Sequence, residues 1–218
     1  MSVLTSCEIT CDCGETFEAE LWKAVNVSDN PEVKDLITLG GFNLVSCPSC
    51  KQVFYWEHFF VYQDIKNELI AYVYPKNFEG QAAEYRSRMI KEFGDVIKSM
   101  EKTIKIDFEP VLYFGIEDLV ATLKNEEYIK DEIQILDFIS KRMELDLILL
   151  KPSAARNLCV VNTIPKIKKS SGDIRKDIVS GLEMLLKYNP NLSEYEKLLA
   201  RIKKNLKCLD EILAHRKI

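Results

Sequence analysis

The sequence predicts an α+β protein, in which a small N-terminal antiparallel sheet with a helical insertion is followed by a helical C-terminal part. Through most of residues 1–76, apolar side chains alternate with polar ones, and β-branched and aromatic residues are frequent, as is typical of strands. From residue 78 onward the apolar side chains recur every three or four positions, as is typical of amphipathic helices. Two close pairs of cysteines, both before residue 51, provide a means of holding so small a sheet together.

The change of period and Pro75 divide the chain into three predicted segments. Residues 1–76 form the β-rich unit, residues 77–150 a helical continuation, and residues 151–218 a basic helical hairpin. Of the 218 residues, 47% are hydrophobic and 29% are charged, so the chain can bury a core of ordinary size.

Five strands and one short helix are expected in the first segment. Asn30 is a good helix cap, Pro31 suits the first helical position, and Gly40-Gly41 ends the helix. The expected strands are Val3–Thr10, Thr16–Lys23, Phe42–Ser46, Val53–Tyr62 and Glu68–Tyr74.

The rest of the chain is predicted to be mostly helical. A basic loop, Ile164–Gly172, interrupts it, because proline, serine and glycine cluster there. The expected helices are Phe78–Lys105, Ile116–Leu123, Tyr128–Leu150, Asp173–Tyr188 and a final helix from Ser193 to the C-terminus.

The cysteine pairs have the spacing of a metal site. Cys11-Asp-Cys13 lies in the turn of the first predicted hairpin, and Cys47-Pro-Ser-Cys50 follows a predicted strand. Four thiolates from two short turns are the closed tetrahedral set that structural zinc prefers. The sequence therefore predicts a zinc-ribbon-like unit in which these four cysteines bind one structural Zn²⁺ ion.

Two other chemistries also fit the cysteines. The Cys47-x-x-Cys50 pair could cycle through a disulfide, as in thiol redox proteins, although such pairs usually open a helix rather than a strand. Four thiolates could also hold iron in an iron–sulfur cluster. Spacing leaves both alternatives open.

Basic residues are concentrated in the last third of the chain. Residues 151–218 carry 15 basic and 7 acidic side chains, whereas residues 1–75 carry 4 basic and 11 acidic ones. A stretch of five cations could contact the phosphates of a nucleic acid, namely Lys166, Lys168, Lys169, Arg175 and Lys176. The alternative is a solvated face attracted to the protein's own acidic part, and the overall pI of 5.4 favours it.

The final predicted helix has apolar residues at alternating four- and three-residue steps, which is a heptad pattern. These residues are Tyr195, Leu199, Ile202, Leu206, Leu209 and Leu213. The pattern is compatible with a homodimer through this helix. An intramolecular hairpin with the preceding helix is favoured, because the Asn189-Pro190-Asn191 connection is short.

Several functional classes are disfavoured. No apolar run approaches the roughly 20 residues that a membrane helix needs, and the N-terminus does not resemble a signal peptide, so we expect a cytoplasmic protein without membrane contact. The sequence has only two histidines, no glycine-rich phosphate loop and no nucleophile motif, so we expect no catalytic residues.

An ordered series of landmarks resembles the CpXC family, which is named for its Cys-Pro-x-Cys element. The resemblance extends over roughly residues 5–150. The landmarks are Cys11-Asp-Cys13-Gly14, Trp22, Val25-Asn26-Val27, Asp29-Asn30-Pro31-Glu32, Gly41-Phe42-Asn43, Cys47-Pro48-Ser49-Cys50, Val61-Tyr62-Gln63-Asp64 and Leu112–Leu119.

The resemblance implies a bacterial or archaeal protein whose four cysteines bind metal, in a family without an assigned activity. Two positions depart from the family pattern: Lys51 stands where the family usually has glycine, and Gln63 stands where it has histidine. We predict a structural-zinc protein that acts as an interaction module for a protein partner not yet identified. The alternatives are a nucleic-acid-binding protein and a thiol redox protein.

Overall fold

A computed structural model describes residues 1–100, 106–169 and 171–217. The chain divides into two compact units, Met1–Lys124 and Asn125–Ile218. This boundary falls inside the predicted segment 77–150. The predicted α+β class, with an N-terminal sheet and a largely helical C-terminal part, is confirmed.

The first unit is built on a five-stranded sheet beside a separate two-stranded hairpin. Its strands are β1 (Val3–Thr10), β2 (Thr16–Asn26), β3 (Leu44–Ser46), β4 (Val53–Tyr55), β5 (Phe60–Asp64), β6 (Leu69–Tyr74) and β7 (Val111–Phe114). The order of the large sheet is β1-β2-β5-β6-β7, and β3 and β4 form the hairpin. The helices of this unit are α1 (Glu32–Thr38), α2 (Ala82–Met100) and the start of α3 (Glu117–Arg142).

The large sheet is mixed, which corrects the antiparallel arrangement expected from the sequence. β1–β2 and β5–β6 are antiparallel, but β5 runs parallel to β2, and β7 runs parallel to β6. The helical insertion α1 lies between β2 and β5 in the chain, and α2 lies between β6 and β7. Parallel neighbours need such long crossovers, so both helices are consistent with the mixed sheet.

The predicted strand Val53–Tyr62 is two strands, because its two ends pair with different partners. β4 pairs with β3 in the small hairpin, whereas β5 pairs with β2 and β6 in the large sheet. The residues between them leave one sheet to reach the other, with the Trp56 N–H donating to the Asn43 carbonyl oxygen at 3.1 Å.

The central strand β6 is buried along its whole length and carries the core on both faces. On one face Leu69, Ala71 and Val73 pack with residues of α1, of α3 and of neighbouring strands. On the other face Ile70, Tyr72 and Tyr74 pack with Met89 of α2 and Phe114 of β7. The predicted helix Phe78–Lys105 begins with a 3₁₀ turn, Lys76–Gln81, and its predicted end at Lys105 lies outside the described residues.

The second unit contains a two-stranded antiparallel sheet and several helices around one core. Its strands are β8 (Leu145–Leu149) and β9 (Thr163–Ile167), and its helices are the remainder of α3, α4 (Pro152–Leu158), α5 (Ile174–Tyr188), α6 (Ser193–Lys204) and α7 (Lys207–Leu213). The most buried core residues are Ile164, Ile178, Leu182, Ile202, Leu209 and Ile212.

Three elements predicted after residue 115 are wrong in detail. The helices Ile116–Leu123 and Tyr128–Leu150 are one helix, α3, followed by strand β8. The basic loop Ile164–Gly172 contains most of strand β9, which pairs with β8. β8 and β9 are about 20 residues apart, and their local sequences favour a helix and a loop. Both become strands because their pairing satisfies the peptide groups and buries apolar side chains.

The final predicted helix is divided at Asn205 into α6 and α7, so the heptad pattern is not continuous. Tyr195, Ile202 and Leu209 of this pattern lie in the core of their own unit, whereas Leu206 is exposed. The packing of α6 against α5 agrees with the predicted intramolecular hairpin. The homodimer stays a prediction.

Within residues 1–100, 106–169 and 171–217, no helix combines the length and apolar character required to cross a bilayer.

Candidate metal centre

The first cysteine pair lies in the turn that joins β1 to β2. The Cys11 N–H donates to the Glu15 carbonyl oxygen and the Gly14 N–H donates to that of Cys11, both at 2.8 Å. Gly14 has a φ of +91°, a conformation that glycine adopts without a steric penalty. Backbone hydrogen bonds therefore close this turn, and Cys11 and Cys13 lie at the end of the hairpin.

The second pair lies in the turn between β3 and β4. The Cys47 N–H donates to the Gln52 carbonyl oxygen at 2.9 Å, and the Lys51 N–H donates to that of Cys47 at 3.0 Å. Lys51 has a φ of +63°, in the left-handed region that favours glycine. Its ammonium donates to the Pro48 carbonyl oxygen at 2.7 Å, across the turn.

The two turns bring the four predicted cysteine sulfurs into one cluster. The Sγ atoms of Cys11 and Cys50 are 3.7 Å apart, and those of Cys13 and Cys47 are also 3.7 Å apart. All four Sγ atoms lie within 4.8 Å of one another. A disulfide requires about 2.05 Å between sulfurs, so these are separate thiol groups.

The cluster is half buried, because Cys11 and Cys47 are buried and Cys13 and Cys50 are exposed. Burial raises the pKa of the Cys47 thiol, but the backbone N–H groups of Cys50 and Ser49 donate to its sulfur and bring that pKa down to about 7. The backbone N–H of Cys13 favours the thiolate of Cys11, but burial and the neighbouring thiols outweigh it and raise the pKa of Cys11 to about 12. Thiolates so close together repel one another, and a cation among the sulfurs would reduce that repulsion.

The backbone donors around the sulfurs are a feature that the cysteine spacing did not reveal. N–H groups of Cys13, Ser49, Cys50 and Gln52 point at three of the four sulfurs. Such donors orient thiolate ligands and lower the cost of their charge in a metal site. The four thiol groups and their donors are therefore compatible with a bound metal ion.

Cys7 does not belong to the cluster. It lies on β1 opposite Ala19 and packs, half buried, beside Ile9 and Leu21. Cys7 therefore packs as an apolar side chain of β1.

The five cations predicted to contact nucleic acid do not form one uncompensated patch. Lys166 lies on β9 with its ammonium 3.0 Å from an Asp146 carboxylate oxygen. Arg175, at the start of α5, forms two hydrogen bonds to the Asp210 carboxylate, at 2.9 and 2.7 Å. The pairing of two of the five cations weakens the case for phosphate binding, which stays a prediction.

Replacing Lys51 by glycine is expected to stabilise the second cysteine turn by up to about 1 kcal/mol, because a non-glycine residue is strained at positive φ. The Lys51→Ala variant is the matched control, since it removes the ammonium and keeps the strain. We expect the temperature of thermal unfolding, followed by circular dichroism, to be higher for the glycine variant than for the alanine variant. Equal temperatures for the two variants would contradict this account.

One comparison with known proteins finds a match. The family model described as CpXC protein matches residues 9–126, which is more than half of the chain and includes all four clustered cysteines. No curated protein and no solved structure matches the chain.

Proposed function

The chain belongs to the CpXC family, and on that premise we propose that its four cysteines bind one Zn²⁺ ion, which holds together a protein-interaction module. The observation that carries the metal proposal is the geometry of the four sulfurs. Four sulfurs at about 2.3 Å from a zinc ion form a regular tetrahedron with edges of about 3.8 Å. Two of the Sγ–Sγ distances are 3.7 Å, and the others are at most 4.8 Å.

The proposed ion has a structural role. Four protein ligands complete the tetrahedron, so no coordination position remains for a substrate or an activated water. The ion would join the turn between β1 and β2 to the turn between β3 and β4. The two turns belong to different sheets, so such a link would fix the small hairpin relative to the large sheet.

The compactness of the cluster favours a single ion over the alternatives. In a cluster of several irons the cysteines bind different metal atoms, so their sulfurs are spread more widely than around one ion. A redox cycle would require Cys47 and Cys50 to form a disulfide with each other. The short sulfur–sulfur distances instead join one turn to the other.

The interaction role is supported by apolar side chains of the first unit that remain exposed. Leu44 and Val53 lie on the outer face of the β3–β4 hairpin and are 45% and 60% exposed, and Leu39 at the end of α1 is 85% exposed. Their burial against a partner would be favourable, by about 25 cal/mol for each Å² covered.

The test of the metal proposal is elemental analysis of protein purified without a metal-affinity step. We expect about one zinc per chain, and no zinc after treatment with a thiol-reactive reagent that blocks the cysteines. The Cys159→Ser variant is the control, because Cys159 is exposed and lies outside the cluster. Protein that retains its fold and contains a disulfide between Cys47 and Cys50, without metal, would support the redox alternative instead.

A further inference from the structure

The outer edge of β8 presents backbone groups that the sheet does not use. The Lys168 N–H donates to the Glu144 carbonyl oxygen at 3.1 Å, and the Leu150 N–H donates to that of Asn162 at 2.8 Å. In an antiparallel ladder only alternate residues exchange hydrogen bonds with the partner strand. The peptide groups of Leu145, Leu147 and Leu149 therefore point away from β9. Pro165 lies opposite Leu147, where the ladder requires no N–H.

The C-terminal residues already pair with one end of this edge. The Lys217 N–H donates to the Leu149 carbonyl oxygen at 2.8 Å, and the Lys151 N–H donates to that of His215 at 3.0 Å. Arg216 forms an antiparallel bridge with Leu150. The edge thus accepts an antiparallel strand at Leu149 and Leu150, and the next outward-facing residues along it are Leu147 and Leu145.

A groove of about 820 Å³ runs beside these two residues. Its lining includes Leu145, Leu147 and Leu149 of β8 and Ile133 and Ser140 of α3. An extended peptide in this groove could form hydrogen bonds with Leu147, and every second side chain of the peptide would lie on the face that carries the leucine side chains of β8.

Three lysines and three carboxylates line the groove, and once the ion pairs are counted its charges have a small positive excess, which favours an acidic occupant. The Asp137 carboxylate is paired with Lys141 at 2.6 Å, and the Asp146 carboxylate is paired with Lys166 at 3.0 Å. Lys168 and Lys169 also line the groove, and neither forms an ion pair with any residue that the structure describes. Glu144 is the one lining carboxylate, among the described residues, without such a pair.

We propose that the outer edge of β8 binds an extended, acidic segment of a partner protein as an added antiparallel strand. The proposal goes beyond the interaction role proposed above, because it adds a second surface, which lies on the second unit. It does not depend on the metal centre, because all the residues involved belong to the second unit.

The direct test is binding of a fluorescein-labelled peptide of about ten residues, with alternating valine and glutamate, to the full chain by fluorescence anisotropy. We expect saturable binding that weakens at least about tenfold when alternate backbone nitrogens of the peptide are methylated, because main-chain hydrogen bonds carry this mode of recognition. A peptide of alternating valine and lysine should bind more weakly than the glutamate peptide. Equal binding of the methylated and unmethylated peptides would overturn the proposal.

Two variants at Leu147 locate the site. Leu147→Pro removes the outward N–H without removing a ladder bond, whereas Leu147→Ala shortens the side chain and keeps the N–H. We expect the proline variant to lose at least about tenfold more affinity than the alanine variant. If the proline variant does not fold, the methylated peptide alone decides the question.

Charge reversal tests the acidic preference. Lys168→Glu with Lys169→Glu should weaken binding of the glutamate peptide, and Lys176→Glu with Lys204→Glu, which adds the same charge elsewhere on the second unit, should not. Equal effects of the two double variants would contradict the assigned surface. Dimerisation of the wild-type chain that Leu147→Pro abolishes would identify a second copy as the occupant and overturn the proposed partner.

A result on this groove is separable from a result on the metal. The Cys47→Ser variant should bind the glutamate peptide as the wild type does, even where it binds no metal. Loss of peptide binding in that variant would overturn the independence of the two sites.

Discussion

Replacing Cys47 by serine is expected to abolish metal binding and to unfold one end of the first unit, while the rest of that unit stays folded. Cys47 is fully buried, and its sulfur is 3.7 Å from that of Cys13. Among the residues that the structure describes, the core beside the cluster has three buried members, Ile9, Leu21 and Val45. So small a core depends on additional links, and structural zinc contributes about 10–16 kcal/mol to the folding of small zinc-dependent peptides.

The larger core should survive this substitution. Strand β6 is buried throughout and packs against α1, α2 and α3. Hydrogen–deuterium exchange measured by mass spectrometry is therefore expected to show faster exchange in β3, β4 and the adjoining ends of β1 and β2, with little change in β6.

A second cysteine variant and metal-free wild-type protein are the controls for this prediction. Cys159→Ser should retain both the metal and the exchange pattern, because Cys159 is exposed and lies outside the cluster. Removal of the metal from the wild type by a chelator should reproduce the exchange pattern of Cys47→Ser. Protection of β3 and β4 that survives in both samples would show that the centre is not needed for the fold.

Replacing Gly181 by alanine is expected to destabilise the second unit by about 3 kcal/mol. α5 packs directly on the backbone of β9 at this glycine. A Cβ atom would lie 2.7 Å from the Lys166 Cα and 2.8 Å from the Pro165 carbonyl oxygen. Both contacts are with backbone, so the helix or the strand would have to move. Ile178 and Leu182, the buried neighbours of Gly181 on α5, would move with it.

The same substitution at Gly94 is the matched control. Gly94 lies within α2, and a Cβ added there meets no atom within 4 Å. Alanine has the higher helix propensity, so Gly94→Ala should stabilise the first unit by about 0.5–1 kcal/mol. Urea unfolding of both variants measures the two changes. A Gly181→Ala variant that is as stable as the wild type would show that α5 does not press on β9 as described.

Local chemistry predicted most of the first unit. β1 and β2 were predicted from alternation, and the turn between them was predicted from Asp12, Cys13 and Gly14. α1 was predicted because Asn30, Pro31 and Gly40 mark its ends, although its first helical residue is Glu32. The four clustered cysteines were identified by spacing alone. In each element, and within each cysteine pair, the determining residues lie within a few positions of one another, so a short window of sequence contains the signal.

Long-range pairing decided what the sequence could not. Val111–Phe114 is a strand because it lies parallel to β6, with each residue paired to one 40 positions earlier in the chain. Leu145–Leu149 continues the apolar spacing of α3, but Glu144 adopts a φ of +53° and the chain leaves the helix to pair with β9. Neither Glu144 nor Lys51 carries a local signal for the left-handed conformation, which glycine usually provides.

The sequence by itself determined that two cysteine turns exist and that strands and a short helix surround them, because turns, caps and alternation are local properties. Only the tertiary structure decided that the large sheet is mixed and that its central strand is buried on both faces. It also decided that a third sheet, β8 with β9, interrupts the helical part and that the outer peptide groups of Leu145 and Leu147 point away from β9. These features depend on which distant segments satisfy one another's peptide groups and bury one another's apolar side chains, and no short window of sequence contains both partners.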